Sequence, residues 1–191
     1  MRAQTLLHSS NLGHVLRAVA SLEMFTLIAE HVCALMVLEG AVSVIFKLIR
    51  DCNRSTPHLK VVGHALRVLR NIGRHPRLLA SISQQTGAAV AVAKLAWDFR
   101  EKPDLLSHTI NVLEMLLLPS PLPVELAKQA PECKKKLESV VAKATAVKAV
   151  APMKKPVAKP GVRKSAASGA RLDSTGRLKR LVSALEKQQG A

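Results

Sequence analysis

Aromatic residues make up only 2% of this 191-residue chain, and all of them (Phe25, Phe46, Trp97, Phe99) fall in its first part. That part is expected to bury a core, and the stretch from about Ala151, rich in Ala, Lys, Pro, Ser and Gly, is not. Cysteine is scarce too. Cys33, Cys52 and Cys133 form no Cys-x-x-Cys, which argues against a disulfide framework or a zinc site and predicts a reducing cytosolic or nuclear compartment. No uninterrupted apolar run reaches the ~20 residues of a membrane span. Met24–Ile49 comes nearest but is broken by Glu30, His31, Glu39 and Gly40. The start, Met1 to Gln4, leads into helix-like sequence without a signal-peptide apolar region, so the expectation is a soluble protein with no membrane partner. There is no Gly-rich phosphate loop, no His-x-x-x-His pair and no carboxylate pair set in an apolar context. Neither an enzyme nor a cofactor is expected.

What the chain has in excess is positive charge, and it is unevenly placed. Residues 1–127 hold 13 Lys+Arg against 9 Asp+Glu, and residues 128–191 hold 16 against 4, for a net charge of +16. One folded unit followed by a basic extension is the natural reading.

Apolar residues recur at helical spacing, and no segment alternates as a strand does. Leu12, Val15, Leu16 and Val19 mark a first helix after Ser10, and a second is expected from about Leu22 to Leu38. Ala41–Ile49, His58–Gly73, Arg77–Gln84, Ala88–Phe99 and Pro103–Leu118 follow, with prolines at 119, 121 and 123 closing the series. Pro131–Val147 is expected as a further helix. Ser174–Gln188 carries Leu178, Leu181, Val182 and Leu185 on one face, a short amphipathic helix suited to docking on a partner or folding back.

Arg50 to Lys60 is a polar joint between apolar segments. The preceding helix runs out at Asp51 or Cys52, Asn53 suits a left-handed closing position, Thr56 suits an N-cap, and Pro57 suits the first helical position. The arrangement recurs. Gly40-Ala41 and Gly87-Ala88 each open an apolar helix, and His64–Leu69 matches His108–Leu113. The glycines are 47 residues apart and the histidines 44, a period typical of armadillo and HEAT repeats. The expected fold is all-α: a short armadillo/HEAT-like helical solenoid over 10–127, a helical extension over 128–150, a disordered basic linker over 151–173 and an amphipathic helix over 174–188.

The joint Cys52–His58, with Gly40-Ala41 before it and Val61–Ile72 after it, resembles the carboxy-terminal helical-repeat region of the abnormal spindle (ASPM) family. The resemblance runs from about Ser21 to Leu118, with Arg100-Glu101-Lys102-Pro103 as the next joint. It implies a non-catalytic scaffold module of spindle-pole and microtubule-associated proteins, in the cytoplasm on the spindle cytoskeleton. Family members carry calponin-homology domains and calmodulin-binding IQ motifs upstream. Neither pattern occurs here, so actin and calmodulin binding are not carried over. The N-terminal end lacks a polar cap, which suggests a fragment or a truncated gene product.

Two surface patterns are candidate partner sites. Lys60, His64, Arg67, Asn71 and Arg74, spaced 4, 3, 4 and 3 apart, form one helical stripe ~21 Å long. In armadillo repeats such a helix lines the groove, and Asn71 resembles the asparagine that holds a partner's backbone, as in a peptide-binding adaptor. The alternative is a solvated helix face. In the tail, Lys154, Lys155, Lys159, Arg163 and Lys164 are spaced by prolines with no aromatics, which suits a polyanion held by charge alone. Tubulin's acidic tails fit that description. Nucleic acid, with a nuclear or chromatin role, is the alternative partner, and a solubilising linker is the bland reading.

Overall fold

Asn11 opens the first helix by accepting hydrogen bonds on its side-chain oxygen from the amides of Gly13 and His14, at 2.9 and 3.4 Å. In the computed structural model, which describes residues 11–53, 55–119, 122–149 and 167–189, every regular element is a helix. In order these are α1 (Leu12–Ile28), α2 (Glu30–Leu38), α3 (Ala41–Asp51), α4 (Thr56–Gly73), α5 (Pro76–Ser83), α6 (Ala88–Asp98), α7 (Pro103–Leu117), α8 (Val124–Ala149) and α9 (Ala167–Gln189). The protein is all-α.

The two Gly-Ala starts share one geometry. Gly40 (φ 70°) and Gly87 (φ 71°) are both left-handed, and each is followed by an 11-residue helix. A left-handed residue reverses the chain sharply, and glycine does this without a Cβ penalty. A Cβ on Gly87 would meet nothing within 4 Å, so Gly87→Ala adds backbone strain alone. Thermal or denaturant unfolding is expected to show a loss of about 1–2 kcal/mol.

The joint after α3 differs in detail from expectation. Asn53 is not left-handed; among the described residues no non-glycine has positive φ. Its side-chain oxygen instead accepts from the Ser55 amide at 2.8 Å, a local turn that serves the same purpose. Ser55, one residue before the expected Thr56, is the N-cap, and Pro57 lies in the first turn.

A second difference is the break at Ala29, inside the helix expected over Leu22–Leu38. Ala29 is extended (φ −136°, ψ 118°), and α1 runs unbroken through Ser21 and Leu22. Alanine gives no local signal for a break. The chain stops because its freed backbone is satisfied from the next helix, with Cys33 Sγ donating to the Thr26 carbonyl at 3.4 Å. Between α2 and α3 the chain bends by 79°. Those two helices reach the length and composition of a membrane span only together, and among the described residues no single helix does.

α1 lies along α4, α4 along α7, and α7 along α9, while α3, α6 and α8 form a second series. Phe46, Leu66, Leu69, Ile110, Leu113 and Leu137 are among the fully buried side chains between them. The core does not stop near residue 127, nor before Ala151. Leu126, Ala130, Cys133, Leu137 and Val140 of α8 and Leu178, Leu181 and Leu185 of α9 belong to it. Averaged composition conceals these side chains because one apolar stripe suffices to dock a helix whose other faces are charged.

α8 also starts earlier than expected and passes through Pro131. An interior proline costs about 3 kcal/mol or more. Burial of Leu126, Ala130 and Cys133 on either side offsets it. Gln129 of the same helix accepts from the Ala89 amide at 3.0 Å and so supplies the cap that Gly87 cannot. Of the linker expected over 151–173, residues 167–173 fall in α9, and 150–166 lie outside the described residues.

Candidate functional site

The stripe on α4 is largely occupied from within. Lys60 and Arg74 at its ends are exposed, but α1 covers its middle. Glu23 of α1 accepts from His64 Nδ1 and from Arg67 Nε, each at 2.6 Å. Asn71 is buried, and its amide donates to the Glu23 carbonyl and the Thr26 hydroxyl, both at 3.2 Å. It therefore does not stand free to hold a partner's backbone, and the open-groove expectation is corrected for His64, Arg67 and Asn71. Sequence reasoning missed Glu23 because 41 residues separate it from His64.

Charge fixes the protons in this cluster. A guanidinium only donates, so His108 Nε2, 3.1 Å from Arg67 Nη1, is the acceptor and Nδ1 carries the hydrogen. That Nδ1 is buried without a partner. His64 Nδ1 uses its proton on Glu23, so the Arg67 Nη2 atom 3.0 Å away makes no hydrogen bond to it. Burial pushes the Glu23 carboxyl up. Hydrogen bonds from Arg67 and His64, and their charges, outweigh this and hold it below the usual carboxylate range. Burial and the charges of Arg67 and Arg70 hold His108 below the ordinary imidazole range.

A second clamp fixes α9. Arg177 Nε donates to Glu114 Oε1 at 3.0 Å, and Nη2 donates to Asn111 Oδ1 at 2.6 Å and to Glu114 Oε2. The hydrogen bond to Glu114, against the cost of burial, raises the Arg177 pKa. The amphipathic segment over 174–188 thus folds back onto α7 and α8. Arg177→Ala should cost about 1.5–3 kcal/mol, the range for hydrogen bonds to charged groups. Hydrogen exchange should show α9 losing protection before α4 does.

Burial keeps the three thiols in their protonated form. Burial raises Cys33, takes Cys52 up to about 11 and Cys133 up to about 12. Among the described residues no group of His, Cys, Asp or Glu is placed to hold a metal ion.

Two features of the surface had no sequence signal. Met24, Phe25, Ile28, Leu35 and Leu38 are all more than half exposed around the α1–α2 corner. A cleft of about 440 Å³ opens between the end of α3, one side of α6 along its length and the middle of α8. The tail cations Lys154, Lys155, Lys159, Arg163 and Lys164 lie outside the described residues.

No family profile matches the chain. Curated proteins do. It is 37% identical over 98 residues to the abnormal spindle-like microcephaly-associated protein homologs of Mus musculus and Canis lupus familiaris, and 35% identical to that of Saimiri boliviensis boliviensis. Each match takes in 51% of this chain and 3% of the relative's length. Over about half its length, then, the chain is similar to a small part of the abnormal spindle-like microcephaly-associated proteins.

Proposed function

We propose that this chain is a non-catalytic, armadillo-like scaffold segment of a spindle- and microtubule-associated protein, with its basic tail contacting acidic partners. The observation that carries the reading is its likeness to the abnormal spindle-like relatives. The two left-handed glycines 47 residues apart, each followed by a short helix and then a proline-led longer one, support the repeat. The exposed apolar corner at Met24, Phe25, Ile28, Leu35 and Leu38 supports a scaffold as well. Large apolar side chains left exposed on two successive helices are what another packing layer would cover.

Microtubule co-sedimentation of the full chain tests the tail. Binding is expected to fall steeply as salt rises, because screening weakens attraction between exposed charges. Replacing Lys154, Lys155, Lys159, Arg163 and Lys164 together by Gln should weaken it, while any single replacement should do little. Undiminished binding to microtubules whose acidic tails have been clipped would overturn this mechanism. The excess of 16 cations over 4 anions in residues 128–191 also favours nucleic acid. Tighter binding to duplex DNA than to intact microtubules at equal ionic strength would select that second reading.

A further inference from the structure

We infer that the cleft between α3, α6 and α8 is a docking site for an acidic, extended segment of a partner protein that carries one bulky apolar residue. This goes beyond the tail-based reading, since every residue involved lies in the folded body. Arg50 from the end of α3, Lys94 from α6 and Lys136 from α8 converge on the cleft. Among the described residues neither Arg50 nor Lys94 makes an ion pair, and both are exposed. Their charges are therefore open to a ligand. The rest of the lining includes the apolar side chains of Val90, Leu95 and Phe99.

Cations around an apolar wall select carboxylates flanking an apolar anchor. At about 440 Å³ the cleft is the size of a small-ligand pocket, so it suits a few residues of extended chain and not a folded surface. Two acidic residues, Asp98 and Glu132, also line it, and Glu132 is 3.3 Å from Lys136. They disfavour a continuous phosphate backbone, which brings a charge at every step. A peptide can place neutral residues against them. Phe99 is buried, so the wall offers no exposed ring for stacking a base.

The test is fluorescence anisotropy with the full chain and a labelled glutamate-rich peptide containing one central Leu. The double variant Arg50→Glu/Lys94→Glu should bind at least about tenfold more weakly, because like charges then face the ligand. Arg50→Gln/Lys94→Gln should weaken binding less and serves should the reversal disturb folding, which circular dichroism will report. Lys179→Glu/Lys187→Glu, on the exposed face of α9, should change binding less than about twofold. Replacing the peptide's Leu by Ser should weaken binding several-fold. The chain with its five tail cations changed to Gln should still bind, which separates this site from the tail. Unchanged affinity in both Arg50/Lys94 variants, or no binding to the unmodified chain, would overturn the assignment. So would a labelled DNA duplex that binds more tightly and loses affinity in the same variants.

Discussion

Leu66→Ala is expected to cost about 2–5 kcal/mol of stability, enough to unfold much of the population of a marginal domain. Leu66 is fully buried in the middle of α4, the helix that lies against α1, α3, α5 and α7. Its truncation opens a space that neighbours on several helices would have to fill, and close-packed interiors relax only partly. Lys60→Ala, two turns earlier on the exposed side, should change stability by less than about 0.5 kcal/mol. A denaturant series of the two variants checks the assignment of faces. Equal costs would mean that α4 is not the central helix of the stack.

Glu23→Ala is expected to cost about 2–4 kcal/mol, because it removes the shared acceptor of His64 and Arg67 and leaves two donors facing each other. The Glu23 side chain is 20% exposed, so solvent screens the cluster only in part. By contrast, Lys128→Ala, at a largely exposed pair with Glu125, should cost less than about 1 kcal/mol. The same cluster predicts acid sensitivity in two stages. Because folding depresses the His108 pKa, the unfolded chain takes up a proton first, and stability falls as pH drops through about 6.5. Because folding also depresses the Glu23 pKa, its contribution is full above the ordinary carboxylate range and is lost as pH falls through the lowered native value. Chemical denaturation at a series of pH values should show His108→Gln flattening the upper stage and Glu23→Gln the lower.

Much of the helical layout is legible from short-range physics. Gly40 and Gly87 mark left-handed starts, Pro57, Pro76 and Pro103 mark first turns, and helical apolar spacing marks the buried sides of α4 and α7. These signals act within one or two turns, where backbone sterics and side-chain period suffice. The abnormal spindle resemblance was legible for a related reason, since it resides in a contiguous string around Cys52–His58. Arg67 and Asn71 show where such reading stops. Their spacing places them on one face, but spacing is silent on whether water or another helix meets that face.

The sequence by itself determined that the chain is helical, where most of its helices start, and that its cations are concentrated beyond residue 128. Only the tertiary structure decided that α1 covers the His64–Asn71 stripe, that the chain breaks at Ala29, that α8 continues through Pro131, and that α9 returns to dock through Arg177. Each of these outcomes rests on partners distant in sequence or on a local cost met by burial elsewhere. Glu23 lies 44 residues from Arg67, and Glu114 lies 63 from Arg177. A polar side chain exchanges water for such a partner only when the whole chain has brought the two together.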